Sequence, residues 1–432
     1  MTVEIPNPLL LSPENGGLTL AQLIEALGYG VHLDAGGRLR TSDAASVFDS
    51  SQEYNFNPLV WEHYTVGGGT ATYTQALNSS VLSTAAGTSG NRSLRRTKTF
   101  WRYQPGKSQL IKMTGVLAYS GTPAGNAVAR IGSFSDANGM FFGRDATGYF
   151  VCIRSNTSGS VVENKVYRAD WYDPLDGSGP SRVSIDFTKT QIFVFDFLWL
   201  GSGPVRFQLM VGGRTLLAHT INSANLITSP YMRTANLPLS YEVFNDSGAG
   251  SDISLLATCA SIDSEGGLSN AAGFNFRAGT AGSTVACANT AALTPIVSLR
   301  LKDTFGGITY RGHVIPKAVE FLNTSSNPGY YELVWNATLT GATFANSVDA
   351  TYSGVEYDTA ATVLTGGIVL QAGYISAGGV GSHPDIGTSA TTPSKLVLSR
   401  TYNNTRDILT VAARGIGGAA TIGAALNFRE QY

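Results

Sequence analysis

The feature that most constrains this sequence is a long series of short apolar segments, separated at short intervals by turn-forming residues. From about residue 96 to residue 263 these segments recur at spacings of roughly 8–15 residues, which is typical of a β-sandwich or barrel. Apolar and polar residues alternate most clearly at 183–187 and 205–209. The sequence predicts strands at 97–104, 109–118, 126–134, 139–144, 148–155, 160–169, 182–187, 191–200, 204–211, 214–221, 239–245 and 252–261.

Two segments within this region carry more specific predictions. Residues 192–200 are apolar nearly throughout, apart from Asp196, which predicts a central strand buried on both faces. Gly212 and Gly213 lie between two apolar segments, which predicts a two-residue hairpin turn. Residues 65–95 are rich in small residues, and we expect loops and edge strands there.

A second β region covers about 268–432. Paired glycines separate its candidate strands, and no fixed repeat period is present, which disfavours a β-helix, propeller or solenoid. The preferred boundary lies near Ser264–Gly267 in the sequence. The sequence therefore predicts an all-β chain with two consecutive domains, each like a β-sandwich or jelly roll, at 51–267 and 268–432. The strands predicted in the second domain are 295–302, 307–315, 330–339, 363–375, 395–402 and 406–413.

Residues 1–50 form a different kind of segment, an extended arm followed by a short helix. Thr19 can cap the helix and Gly28 can end it, with Gln22 at the capping-box position. Four apolar residues fall on one face of this helix: Leu20, Leu23, Ile24 and Leu27. Such an element suits an N-terminal anchor, or it covers one end of the next domain. The first residues have no basic stretch and no cleavable apolar core, which predicts synthesis in a cytoplasm without a signal peptide.

Composition excludes several classes of protein. The chain has 29 Lys and Arg against 30 Asp and Glu, so its net charge is −1, and only 14% of residues are charged. Nucleic-acid binding requires clustered Lys and Arg, so we expect no nucleic-acid partner. No apolar run reaches the ~20 residues of a membrane-spanning helix, so we expect no membrane partner. With 43% hydrophobic residues the chain is not disordered.

The cysteines and histidines do not indicate a metal or disulfide site. The three cysteines are far apart and odd in number, which argues against a disulfide framework. Cys152 and Cys259 lie in apolar segments and are predicted to be small core residues. The five histidines are scattered singly, and neither C-x-x-C nor H-E-x-x-H is present.

The densest polar cluster, at 170–180, leaves two interpretations open. Asp173 and Asp176, beside glycines, are possible oxygen ligands for calcium. Their spacing lacks the regular D-x-D-x-D-G pattern, and the alternative is a turn-rich loop in which the aspartates bond to their own backbone.

Other candidate constellations are incomplete. Asp186 and Asp196 are about ten residues apart, and a glycosidase would need two carboxylates facing each other across a cleft. The Gly-Ser-Gly segments at 177–179 and 201–203 are too short for a nucleophile elbow. The glycines at 67–69 are not followed by Lys-Ser/Thr and a helix, so they do not form a phosphate loop. The sequence thus predicts no catalytic, cofactor-binding or metal-ligating residues, and no enzyme.

A local basic patch interrupts the neutral chain. It is interleaved with aromatic residues and is expected to contact another subunit rather than nucleic acid. The patch consists of Arg92, Arg95, Arg96, Lys98, Arg102 and Lys107, with Phe100, Trp101 and Tyr103 between them.

Several longer sequence segments resemble those of a known group of proteins. They are FWRYQPGKS at 100–108, ADW at 169–171, DPLDGSGPS at 173–181, TKTQI at 188–192, WLG at 199–201, VRF at 205–207, ANLPL at 235–239 and SEGG at 264–267. Together they resemble virion structural proteins of tailed bacteriophages, of the fibre or decoration type. The resemblance covers about 45–267 well and the C-terminal region more loosely, and it brings no catalytic residues with it.

This resemblance implies a virion component, made in the host cytoplasm, that acts by assembly and adhesion. It would be a capsid decoration protein or a head or tail fibre subunit, attached through its N-terminal region. The expected partners are further copies of the chain, as a homotrimer, and other virion proteins such as major capsid, portal, neck or tail proteins. The alternatives are a receptor-binding module for host surface polysaccharide and, third, a polysaccharide depolymerase.

Overall fold

A computed structural model of the protein describes residues 44–85, 90–245, 251–267, 272–384 and 397–432. Regular structure in these residues is almost entirely β, with short 3-10 turns at Gln75–Leu77 and Arg168–Asp170. The predicted all-β class is therefore confirmed. None of the helices in the described ranges has the length and apolar character to cross a membrane. The helix predicted between Thr19 and Gly28 lies outside the described residues.

The first sandwich contains two antiparallel sheets. One has eight strands in the order β13-β12-β11-β6-β15-β4-β3, with β1 also paired to β15, and the other has seven in the order β10-β9-β8-β7-β14-β5-β2. The strands are β1 Ala44–Ser50, β2 Trp61–Val66, β3 Thr70–Thr74, β4 Ser79–Ser83, β5 Asn91–Thr97, β6 Gln109–Ser120, β7 Val128–Phe134, β8 Gly139–Arg144, β9 Tyr149–Ser155, β10 Val162–Tyr167, β11 Gln191–Phe197, β12 Val205–Val211, β13 Arg214–Ile221, β14 Leu239–Asn245 and β15 Ser254–Glu265. Since β1 pairs with β15, residues 44–50 belong to this sandwich, although the sequence analysis grouped them with the N-terminal arm.

The second sandwich also has two main sheets. Its five-stranded sheet runs β16-β30-β21-β28 with β17 also on β30, and its six-stranded sheet runs β24-β25-β18-β29-β22-β27. Two small two-stranded ladders, β19-β20 and β23-β26, complete it. The strands are β16 Phe274–Gly279, β17 Val285–Cys287, β18 Thr294–Leu301, β19 Thr304–Phe305, β20 Ile308–Thr309, β21 His313–Asn323, β22 Gly329–Trp335, β23 Thr338–Thr340, β24 Asn346–Ser347, β25 Val355–Asp358, β26 Val363–Thr365, β27 Ile368–Ile375, β28 Val380–Pro384, β29 Ile408–Gly415 and β30 Ala420–Gln431.

An aromatic cluster fills the first sandwich. Every second residue of β11 points inward, so Phe193 and Phe195 meet Phe142 of the opposite sheet, with ring centroids 5.2 and 5.6 Å apart. Phe207 and Trp171 lie 5.6 and 5.8 Å from the same ring. Offset and edge-to-face contacts of this kind add to the apolar area that the rings bury. Phe142 is therefore the residue on which the packing between the two sheets converges.

The interior strand β11 matches its prediction. It lies between β6 and β12, and Val194 on its other face is also buried. The apolar run continues to residue 200, but the strand ends at Phe197, and Leu200 has a positive φ of 36° in the following turn. The glycine hairpin is also confirmed, because Gly212 and Gly213 have φ values of 57° and 75° between β12 and β13.

A β-bulge in β15 overturns the prediction for Cys259. The pairing of β15 with β6 shifts register between Ala257 and Ala260, which turns the Cys259 side chain out, so it is exposed. The Gln52 amide nitrogen donates to the carbonyl oxygens of Ala257 and Thr258, at 2.8 and 2.7 Å. These bonds satisfy backbone groups that the bulge removes from the ladder. Cys152, by contrast, is buried in β9 as predicted.

Two predicted strands are not strands in the structure. Residues 182–187 alternate because Ile185 and Phe187 point into the core, but Ser184 makes only an isolated bridge to Asp176. In 395–402 the described residues make only single bridges, from Leu398 and Arg400.

A third strand is displaced, since β5 covers 91–97 rather than 97–104. Others are shorter or divided: 307–315 becomes β20 and the start of β21, 330–339 becomes β22 and β23, and 363–375 becomes β26 and β27.

A buried carboxylate organises one end of the second sandwich. Glu430, on β30, is fully buried and accepts hydrogen bonds from the Tyr310 hydroxyl, the Ser353 hydroxyl at 2.6 Å and the Gly354 backbone N–H at 2.6 Å. A Cβ at position 354 would collide with the Tyr310 ring, so only glycine fits. A fully buried carboxylate needs such donors to compensate for the loss of water.

The role of Phe142 can be tested by truncation. We expect Phe142→Ala to lower the free energy of unfolding by about 3–5 kcal/mol, because it leaves a cavity where four other rings meet. Chemical denaturation followed by tryptophan fluorescence and circular dichroism measures this. Leu226→Ala is the control, since that side chain is 75% exposed, and we expect a change within about 0.5 kcal/mol. A loss of less than about 1 kcal/mol for Phe142→Ala would contradict this account of the core.

Candidate functional site

The two aspartates considered for calcium serve as turn formers. Asp173 is 3% exposed and accepts from the backbone N–H groups of Leu175 and Ser181 through different oxygens, at 3.0 and 2.9 Å. Asp176 accepts from the hydroxyl and the N–H of Ser178, and these bonds lower the pKa of its carboxyl. Over the described ranges, His, Cys, Asp and Glu form no group of three or more that would suit a metal ion. The contacts thus favour the loop interpretation of this segment.

The second pair of aspartates is also engaged locally. Asp186 accepts from the hydroxyl and the N–H of Thr188, at 2.6 and 2.9 Å, which lowers the pKa of its carboxyl. Asp196 forms an ion pair with Arg206 on the adjacent strand, at 2.9 Å. Each carboxylate therefore has a structural partner beside it.

The basic patch does not lie on the surface as a whole, because part of it is buried within the chain. Arg95 and Arg96 are 0% and 3% exposed. Lys98 donates to the carbonyl oxygen of Pro58 at 2.7 Å, and Lys107 donates to that of Gly267 at 2.6 Å. The patch contacts the chain's own loops and, through Arg92 and Arg96, the second sandwich.

That contact centres on Tyr402, which the second sandwich inserts against the first. The Tyr402 ring stacks on Tyr64 with centroids 4.2 Å apart, and the guanidinium groups of Arg92 and Arg96 lie 4.8 and 4.9 Å from its centroid. The Tyr402 backbone N–H donates to Glu62 at 2.8 Å, and Glu62 pairs with Arg96 at 2.9 Å. We call these five residues the joint.

A second contact lies beside the joint. The His313 ring nitrogen Nε2 is 2.6 Å from the Phe100 carbonyl oxygen, and Arg311 lies over the Phe100 ring at 4.2 Å. Burial lowers the pKa of His313 to about 4, although this hydrogen bond opposes the shift. His313 is therefore neutral near pH 7, with the proton on Nε2 donated to the carbonyl.

The joint continues into an ion layer on the outer face of the seven-stranded sheet. Glu242 pairs with Arg92 at 2.6 Å and with Arg130 at 2.7 Å, while Glu163 pairs with Arg130 at 3.2 Å and with Arg154 at 2.6 Å. Burial alone would raise the pKa of Glu242, but Arg92 and Arg130 hold it at about 2. The layer is thus a structural network of ionised groups.

A groove on the second sandwich is the best candidate for a binding site. It has a volume of about 1130 Å³ and lies along β16, β30 and β21, with residues of the other sheet at one side. Small residues form its floor: Gly279 is the register partner of Ala425, and Gly423 follows on the same face of β30. A large side chain at these positions would fill the groove.

Polar and charged side chains line the groove around that floor. Arg277 and Asn427 are register partners, and the Asn427 amide nitrogen donates to Glu320 at 3.2 Å. Asp349 accepts from the backbone N–H groups of Tyr352 and Thr351, at 2.7 Å each, which lowers the pKa of its carboxyl. The charged lining residues are Arg277, Lys317 and Arg429 against Glu320 and Asp349.

Sequence reasoning did not single out any groove residue. The only indication in the sequence is that every second residue from 423 to 429 is small or polar: Gly423, Ala425, Asn427 and Arg429. Small and polar residues of this kind are also common in turns, so the pattern alone does not predict a strand.

Comparisons with known proteins do not identify a family. No family model matches the chain, and no curated protein matches it. Among solved structures, the chain is similar to an endo-1,3-beta-glucanase from Streptomyces sioyaensis, with 10% identity and a TM-score of 0.36 over 52% of this chain and 98% of that one. It is also similar to a carbohydrate esterase from Shiga toxin-encoding bacteriophage phi24B, with 12% identity and a TM-score of 0.29 over 51% and 99%.

The carbohydrate recognition domain of Emp47p is a third such structure, with 11% identity and a TM-score of 0.32 over 55% of this chain and 100% of that one. Sequence identities and TM-scores as low as these assign this chain neither to a family nor to a function.

The ion layer predicts a specific pH dependence. The pKa of Glu242 is about 2 in the folded chain, below the ordinary value of about 4.3 for a glutamate. The ionised carboxylate therefore contributes its full stabilisation at pH values above about 4.3, and this contribution is lost as the pH falls towards 2. We expect Glu242→Gln to lower the free energy of unfolding by about 3–5 kcal/mol at pH 7, because the largely buried guanidinium groups of Arg92 and Arg130 each lose a carboxylate partner. The difference from the unsubstituted protein should shrink steadily between about pH 5 and pH 2.

Denaturation at a series of pH values measures this difference. Glu53→Gln, at an exposed position, is the control and should change stability little at any pH. A penalty for Glu242→Gln that stays constant down to pH 2 would show that the carboxylate charge is not what stabilises the layer.

Proposed function

We propose that this chain is a structural subunit of a tailed bacteriophage virion that acts by assembly and adhesion, as a capsid decoration protein or a head or tail fibre subunit. The sequence segments at 100–108 and 173–181, among others, support the virion assignment because they resemble such proteins. The observation that carries the assembly part is the exposed apolar edge of the second sandwich. On this proposal the chain is not an enzyme.

That edge is strand β27, the last strand of the six-stranded sheet among the described residues. Ile368, Val369 and Leu370 are 46%, 51% and 37% exposed, and no residue of Ile368–Ile375 is charged. Natural edge strands usually carry charged residues or proline that prevent pairing with other chains. An uncharged edge with exposed apolar side chains therefore supports pairing with another strand.

A second copy of this chain is the partner that fits best. The net charge of −1 imposes little repulsion between copies. Strand pairing would satisfy the backbone groups along β27 and cover its apolar side chains together. The expected homotrimer is one closed arrangement that such pairing could build.

A charge on this edge should weaken assembly. We expect Val369→Lys to lower the average mass of the protein in solution, because pairing would bury an ammonium group in an apolar contact. Analytical ultracentrifugation over a range of concentrations measures this. Leu226→Lys, at another exposed apolar residue, is the control and should leave the mass unchanged. A monomeric unsubstituted protein at tens of micromolar, or no effect of Val369→Lys, would count against assembly through β27.

The virion assignment has its own test. A density map of the whole virion should contain this chain and show whether it lies on the head, neck or tail. Absence of the chain from purified virions would refute the assignment.

The groove favours a second candidate, a receptor-binding module for host surface polysaccharide. Its open shape and mixture of amide, charged and aromatic side chains suit an extended polar ligand. Adsorption of the purified protein to host cells, with and without removal of their surface polysaccharide, tests this function. Release of reducing ends during such an experiment would instead indicate a depolymerase.

A further inference from the structure

We propose that the groove on the second sandwich binds a saccharide chain that carries carboxylate groups, such as a polymer containing uronic acids. This inference rests on the second candidate function above and names its ligand class.

The shape suits a chain rather than a compact small molecule. At about 1130 Å³ the groove lies just above the range of roughly 300–1,000 Å³ that is usual for small-molecule sites. Its floor runs along Gly279, Ala425 and Gly423, where no side chain longer than a methyl group rises. The backbone itself fixes Gly279, because a Cβ there would lie 2.5 Å from the Ala424 carbonyl oxygen.

The carboxylates of the groove already have partners. Glu320 accepts from the Asn427 amide, and Asp349 accepts from two backbone N–H groups. Arg277 is exposed on the edge strand β16, and no hydrogen bond or ion pair joins its side chain to another described residue. A guanidinium group in this position can bind a carboxylate through two parallel hydrogen bonds.

Asn427 supplies a second polar contact beside Arg277. Asn427 is the register partner of Arg277, and its bond to Glu320 engages the amide nitrogen, which leaves the amide oxygen as an acceptor for a sugar hydroxyl. A carboxylate on Arg277 and a hydroxyl on Asn427 would thus fix one sugar unit across the two strands.

The test compares an acidic and a neutral oligosaccharide on the full chain by isothermal titration calorimetry. Trigalacturonate is the acidic probe and maltotriose is the neutral one. We expect trigalacturonate to bind at least tenfold more tightly. We expect Arg277→Ala to weaken trigalacturonate binding about 10- to 100-fold, as the loss of a charge-assisted contact does. Ala425→Trp, which fills the floor, should abolish binding.

Arg214→Ala is the matched control, because Arg214 is an exposed arginine at a hairpin of the first sandwich. Circular dichroism melting curves should be the same for all three variants and the unsubstituted protein. Equal affinity for the two probes, binding of neither probe, or equal weakening by Arg214→Ala and Arg277→Ala would overturn the proposal. If the protein adsorbs to host cells and Arg277→Ala leaves this adsorption intact, the groove is not the polysaccharide-binding site. The protein would then bind polysaccharide through another part of the chain.

Discussion

The arrangement of the two sandwiches depends on one half-buried tyrosine held between charged groups. Tyr402 reaches from the second sandwich into the joint, where Tyr64 stacks on its ring and two guanidinium groups face it. A guanidinium group gains from an aromatic face most strongly where water is excluded. Glu62 adds direction, since it holds both Arg96 and the Tyr402 backbone N–H. The contact is thus specific in both position and orientation.

Much of the chain's scarce charge lies in the interior. Only 14% of residues are charged, yet Arg95, Arg96, Arg154, Glu242 and Glu430 are each at most 5% exposed. In the ion layer, breaking one of the pairs that Glu242 and Arg154 make leaves an uncompensated charge, which is costly. The ion layer therefore makes the outer face of the seven-stranded sheet intolerant of single substitutions. Because several of the few charged residues are buried, the surface carries even less charge than the composition suggests.

The sequence predicted the elements in which local chemistry and packing agree. The hairpin at Gly212 and Gly213 needed only two residues that tolerate positive φ, and β11 needed only a continuous apolar run. At 182–187 the same alternation was misleading, because Ile185 and Phe187 are buried by a loop whose backbone bonds to Leu175 and Ala118. Alternation records which side chains are buried, and it does not require a ladder partner.

The basic patch and the groove could not be predicted, since both depend on distant partners. Nothing near Arg96 in the sequence indicates Tyr402, which covers it. Likewise, the floor of the groove exists only because β16 and β21 flank β30, and these strands are far apart along the chain. β30 itself was missed, because Gly423, Ala424 and Ala425 dilute its alternation and follow a glycine pair that indicates a turn.

β30 connects the two properties that matter most in the second sandwich. Its inward residues, Leu426, Phe428 and Glu430, are at most 1% exposed and hold the core together. Its outward residues are small at the floor of the groove, at Gly423 and Ala425, and polar at Asn427 and Arg429. Because successive side chains of a strand point to opposite faces, the two sets can change independently. A strand whose inner face is fixed by Glu430 can thus carry different residues at outward positions such as 427, where a side chain already stands. Gly423 is the exception, because a Cβ there would lie 2.7 Å from the Ser283 carbonyl oxygen.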